Sequence, residues 1–125
     1  DVSSTHTVWK HRKGIAQMAS PLYYQGNVYT VQNGGRVTSF SAETGKIHYQ
    51  QEKIGASGLY RASPVAANGI VYFSSERGTI TAVEAGDKLR VLARNKLDER
   101  LSATPAIVDD KIYVRTDKHV WAFGQ

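Results

Sequence analysis

Apolar residues fall in short runs separated by turn formers, with no long stretch at helical spacing. Val28-Tyr29-Thr30-Val31, Val37-Thr38-Ser39-Phe40, Ile70-Val71-Tyr72-Phe73 and Ile80-Thr81-Ala82-Val83 are rich in β-branched and aromatic side chains. Runs of that length, bounded by Gly, Asn, Asp and Ser, predict strands. The runs also repeat. Ala19-Ser20-Pro21, Ala62-Ser63-Pro64 and Ala103-Thr104-Pro105 are one tripeptide with a single conservative change, and their prolines are spaced 43 and 41 residues apart. Eight residues after each Pro stands a Tyr preceded by a β-branched residue: Val28-Tyr29, Val71-Tyr72 and Ile112-Tyr113. Gly26 and Gly69 share a turn position that Asp110 fills in the third copy, and Gly35 and Gly78 match in the next turn. A period in the low forties made of short strands predicts one four-stranded β-propeller blade per repeat.

The blades can be placed along the chain. The first spans 21–51, with strands near 21–24, 28–31, 36–40 and 47–51. The second spans 64–93, with strands near 64–67, 70–74, 79–83 and 89–93. The third spans 105–123 and supplies only three strands, near 105–108, 111–115 and 119–123. Thr7-Val8-Trp9-Lys10 matches the outer-strand position, so residues 7–10 are expected to be an outer strand of an adjoining blade. The whole chain reads as an all-β partial propeller of about three blades, circularly offset. Three blades are too few to close a ring, and open strand edges invite pairing. Two completions are expected: the remaining blades of a larger propeller, or a homodimer in which each Trp9 strand completes its partner's last blade in a six-bladed ring. Residue 1 is Asp rather than Met, which favours a piece of a longer chain.

Composition narrows the chemistry. Among 125 residues, 41% are hydrophobic, enough for a packed core, and no apolar run approaches a membrane span. Residues 1–20 scatter their charges, unlike a signal peptide. The absence of Cys removes disulfides, thiolate metal sites and Cys nucleophiles. His6, His11, His48 and His119 lack metal-ligand spacing. Asp109-Asp110 suits a tight turn better than a metal loop, and Gly34-Gly35 suits a hairpin better than a phosphate cradle. No metal site, catalytic residue or nucleic-acid motif is read from the chain, and membrane insertion is not expected.

The formal net charge is +5, and its distribution is uneven. In a propeller, the outer-to-inner and second-to-third connections share one face. Here that face carries ten cations, namely Arg12, Lys13, Arg36, Lys53, Arg61, Arg77, Arg94, Lys96, Arg100 and Lys118, against Glu52, Glu76, Asp98, Glu99 and Asp117. The opposite face is slightly acidic. A positive loop face predicts an anionic ligand or an acidic protein segment as partner. Arg12, Arg61 and Arg100 precede inner strands and could grip a carboxylate or phosphate with paired hydrogen bonds. Arg77 and Lys118 add to the same face, and Tyr60, beside Leu59, could supply an apolar contact. For any one of these cations a solvated loop charge is the ordinary role. Trp9, Tyr29, Tyr49, Tyr72, Tyr113 and Trp121 are expected to pack blades, the three repeated tyrosines as core.

Phe40-Ser41-Ala42-Glu43-Thr44-Gly45-Lys46-Ile47-His48-Tyr49 resembles the Ala-x-Asp-x-x-Thr-Gly-x-x-x-Trp docking motif of the PQQ-like β-propellers. Tyr49 takes the Trp position, Trp9 keeps it in the preceding outer strand, and Val91 replaces it in the next, after the degenerate turn Glu84-Ala85-Gly86-Asp87-Lys88. The resemblance covers about residues 7–124 and is specific for fold rather than function. It implies one of two kinds of protein. Quinoprotein dehydrogenases of the family hold PQQ and calcium and use a vicinal Cys pair, which this chain lacks. Other members, including an envelope lipoprotein of outer-membrane barrel assembly and many uncharacterised bacterial proteins, keep the blades without redox activity. The closing segment, 104–116, looks most like the uncharacterised branch. The resemblance therefore implies a non-catalytic scaffold, without cofactor, in the periplasm or outside the cell. A dehydrogenase fragment and a self-assembling ring are the alternatives.

Overall fold

The computed structural model describes residues 20–101, 104–109 and 111–123. Arg12, the Trp9 strand and Asp110 lie outside them. Eleven strands are present: β1 Leu22–Tyr24, β2 Asn27–Gln32, β3 Arg36–Ser41, β4 Ile47–Lys53, β5 Val65–Ala67, β6 Ile70–Ser74, β7 Thr79–Glu84, β8 Val91–Lys96, β9 Ala106–Val108, β10 Lys111–Arg115 and β11 Val120–Phe123. They form antiparallel meanders β1-β2-β3-β4 and β5-β6-β7-β8 and a three-stranded sheet of β9, β10 and β11. These are propeller blades, the third with three strands among the described residues. Strand β8 starts at Val91 rather than Leu89 and runs on to Lys96.

Local chemistry explains the turns. Gln25-Gly26 and Asn68-Gly69 both carry positive φ at the two central positions, the hairpin geometry that matches strand twist. Gly35 and Gly78 recur for a different reason. A Cβ on Gly35 would sit 2.3 Å from the Ala56 carbonyl oxygen, and one on Gly78 would sit 2.2 Å from that of Glu99. The linker leaving each blade passes directly over this hairpin. There it is bonded to it, Ile54 N–H donating to Gly35 O and Leu97 N–H to Gly78 O.

Alternation along the strands divides the core. Tyr29, Val31, Val37 and Tyr49 of the first blade meet Val71, Phe73 and Val83 of the second, with Ile54 and Tyr60 of the linker between them. Tyr72, Ile80 and Ala82 point the other way and meet Ile112 and Val114 of the third blade, with Leu97 and Leu101. Each such large side chain contributes about 1.5–3 kcal/mol by leaving water. Tyr29 and Tyr72 are thus core, 0% and 7% exposed, but Tyr113 is 36% exposed. The expectation of three equivalent core tyrosines fails at the third. Tyr29 and Tyr72 are each covered by the following blade, and among the described residues none follows the third. Trp121 is partly buried against the second core, and its indole N–H donates to Thr116 Oγ1 at 2.9 Å.

The proline-linked tripeptide also has a physical role. The Ser20 N–H donates to Ser63 Oγ at 3.3 Å, and the Ser63 N–H to Thr104 Oγ1 at 3.0 Å. Hydroxyls at the repeat position therefore stitch each blade's entry to the next. On the opposite side, Tyr24 Oη accepts from Gly69 N at 2.7 Å and Tyr29 Oη from Gly86 N at 3.0 Å.

Candidate functional site: two notches on the loop face

Tyr49 occupies the blade-packing position, 6% exposed. Among the described residues its hydroxyl has no partner. Burial first, then Tyr29 and Glu52, push the phenol above its ordinary range. Val91 is not its counterpart. It pairs with Val83 as Ile47 pairs with Phe40, and Ala93 stands opposite Ala82 as Tyr49 stands opposite Ser39. The β7–β8 connection is one residue longer, which shifts the register, and Val91 packs back towards the first blade.

Five cations of the loop face line two notches on either side of the β6–β7 hairpin, and a third, more open cavity lined by Glu76, Arg77, Asp98, Glu99 and Arg100 lies between them. Arg61 and Arg100 line a cavity of about 410 Å³ with Ala62, Glu76, Leu101, Thr104 and Asp117. Both reach one carboxylate oxygen, Glu76 Oε2, Arg100 Nη2 at 2.8 Å and Arg61 Nη1 at 3.5 Å. The bond to Glu76 raises the Arg100 guanidinium further above its ordinary value. Two cations and two carboxylates line this notch, so its charges balance. The hairpin that presents Glu76 is fixed by Glu76 N–H donating to Leu59 O, and Leu101 N–H to Glu76 O.

The second notch, about 300 Å³, is lined by Gly55, Ala56, Ser57, Arg77, Thr79, Arg94, Lys96 and Asp98. It holds three cations and one carboxylate. Arg94 Nε donates to Ile54 O at 2.8 Å, and Arg77 Nη1 approaches Ser57 Oγ at 3.4 Å. Arg94 and Lys96 were part of the charge of this face, but their convergence with Arg77 needs the β7–β8 register and the linker crossing, which no local motif announces.

Tyr60 does not offer the expected surface contact. It is 1% exposed, its N–H donates to Asn33 Oδ1 at 2.9 Å and its hydroxyl donates to Ala56 O. It fills the seam under the linker, where Gly35 leaves room for it. Burial raises its phenol's pKa, with Arg94 opposing. Lys118 lies at the β10–β11 turn, its N–H donating to Glu99 Oε1 at 3.3 Å. Glu99 also accepts from Thr116 Oγ1 at 2.5 Å and meets His119 Nδ1 at 2.5 Å. His48 Nε2 lies 3.0 Å from Asn27 Oδ1 and 3.5 Å from Asp87. Calcium needs a cluster of oxygen donors. Among the described residues no three of His, Cys, Asp or Glu come together as ligands.

Two overlapping stretches, residues 1–87 and 56–125, match the family described as outer membrane protein assembly factor BamB, a PQQ-like propeller family. The chain belongs to that family. The crystal structure of BamB from Moraxella catarrhalis superposes on this BamB-family chain with a TM-score of 0.71 at 14% identity, covering 98% of the chain. The computationally designed proteins Ika4 and Ika8 each superpose at a TM-score of 0.66, with 16% and 17% identity over 83% and 84% of the chain. Of their own lengths, 63% and 32% are covered. At such identities the likeness shows the fold alone. The chain spans 35% of the length of the Moraxella protein. No curated protein sequence matches it significantly.

Proposed function

We propose that this BamB-family segment is a non-catalytic interaction scaffold that needs no cofactor and works in outer-membrane protein assembly on the periplasmic side. The observation that carries the reading is the family match along the whole chain. The fold supports it: blades locked to one another on both faces hold the loop face rigid, and rigid frames with exposed loops suit recognition. The partner is an acidic protein segment or another anion drawn to the cationic loop face. Fluorescence anisotropy with fluorescein-labelled hexaglutamate tests it. Saturable binding that weakens as salt rises is expected, and equal binding of hexalysine would contradict it. Titration with PQQ and calcium tests the enzymatic alternative, since a bound-quinone absorbance band would overturn the non-catalytic reading.

The exposed Tyr113 and Val120, 36% and 73% accessible, favour completion of the third blade's open face by further blades or by a second copy. Light scattering across concentrations separates them. A stable dimer identifies the six-bladed ring, and a monomer identifies further blades of a longer chain.

A further inference from the structure

The notch between the first linker and the second blade has the chemistry of a binding site. Arg94 and Lys96 stand two residues apart on β8 and so project from one face of the strand. The Arg94 bond to Ile54 O lays its guanidinium against Gly55, where a Cβ would come within 2.5 Å of Arg94 Nη2. Glycine thus leaves space for a positioned guanidinium. Arg77 comes in from the β6–β7 hairpin. Among the described residues none of Arg77, Arg94 and Lys96 forms an ion pair, whereas Arg61, Arg90 and Arg100 all do.

A second observation points the same way. The register sets Arg36 directly opposite Lys53 at the same end of the first blade. Like charges facing each other across a ladder cost sheet stability, and neither is ion-paired among the described residues. The loop-face rim of both blades thus carries cations that form no ion pair among the described residues.

Resting on the scaffold reading above, we propose that the Arg77–Arg94–Lys96 notch is the docking site for an extended acidic protein segment, whose carboxylates pair with these three side chains. All three cations are exposed, and they reach the notch from the β6–β7 hairpin and from two positions along β8. That suits several carboxylates on a chain better than one small anion. Arg supplies paired donors to a carboxylate, and Lys a single charge.

The test is anisotropy with labelled hexaglutamate at low ionic strength, on the full chain. The double variant Arg77→Ala/Lys96→Ala is expected to weaken binding roughly tenfold, as two partly exposed pairs allow. Arg61→Ala/Arg100→Ala is expected to leave it within about twofold. Arg77→Gln/Lys96→Gln, with melting curves for all variants, separates loss of charge from loss of fold. Failure of the unaltered chain to bind hexaglutamate would overturn the acidic-partner reading and this site together. Binding that survives both changes at 77 and 96, or that falls equally in the Arg61/Arg100 variant, would overturn this site alone.

Discussion

The two notches flank the same β6–β7 hairpin and are built from the same residue types, yet they differ in what their charges do. In one, Arg61 and Arg100 converge on Glu76, with Asp117 alongside, so the fold consumes its own cations. In the other, Asp98 is the one carboxylate that lines the notch with Arg77, Arg94 and Lys96, and these three form no ion pair among the described residues, although Arg77 also lines the intervening cavity with Glu76 and Glu99. A face can therefore be strongly positive while only part of it is available to a partner. Which part is decided by where each carboxylate is held, and backbone bonds at Leu59 and Leu101 fix Glu76 on the first side.

The largest expected effect comes from the hairpin that divides the notches. Gly78→Ala would force a Cβ onto Glu99 O at a φ of +99°. It is expected to destabilise the fold by about 2–4 kcal/mol in urea unfolding. Gly69→Ala has the same positive-φ strain but open space around it, and is expected to cost about 1 kcal/mol. Equal losses would contradict the linker crossing as the reason for the repeated glycine. Next, Glu76→Gln removes the carboxylate shared by Arg61 and Arg100. Hexaglutamate affinity is expected to rise about threefold as the balanced notch becomes cationic. No change would mean that pairing does not distinguish the notches.

Smaller effects are expected from pH and from Tyr49. Thr116 first, then His119 and the Lys118 N–H, hold the Glu99 carboxyl below its ordinary 4.5. A depressed folded pKa gives stability that is present above the unfolded value and lost as pH falls through the folded one. The unfolding midpoint should therefore drop more steeply below about pH 4.5 in the unaltered chain than in Glu99→Gln. Parallel curves would remove Glu99 from the account. Tyr49→Phe deletes a buried hydroxyl that has no partner among the described residues, so it is expected to be neutral or to stabilise by up to about 1 kcal/mol. A clear loss would reveal a partner for that hydroxyl.

Fold and site were unequally legible in the sequence. The blade was legible because its signals are local and repeated: hairpin glycines, strand runs, and an Ala-Ser/Thr-Pro tripeptide whose hydroxyls proved to bond from blade to blade. Tyr29 and Tyr72 followed from the repeat, while Tyr113 did not, because burial depends on the neighbour and not on the repeat position. The site was half legible. The charge of the loop face can be counted, but Tyr60, expected as an apolar contact beside the positive patch, is a buried residue of the linker. Arg61 and Arg100 carry no local sign that both would reach Glu76, fifteen and twenty-four residues away. Arg94 and Lys96 join Arg77 only through strand register, which a single extra residue in the β7–β8 connection also displaced at Val91.

The central claim, that unpaired rather than total charge locates the binding surface, is tested most directly by amide NMR during titration with hexaglutamate. Saturable shifts at Gly55, Ser57, Arg77 and Lys96, with Arg61, Arg100 and Leu101 unmoved, are the predicted result. Shifts centred on Arg61, Arg100 and Leu101 would contradict it.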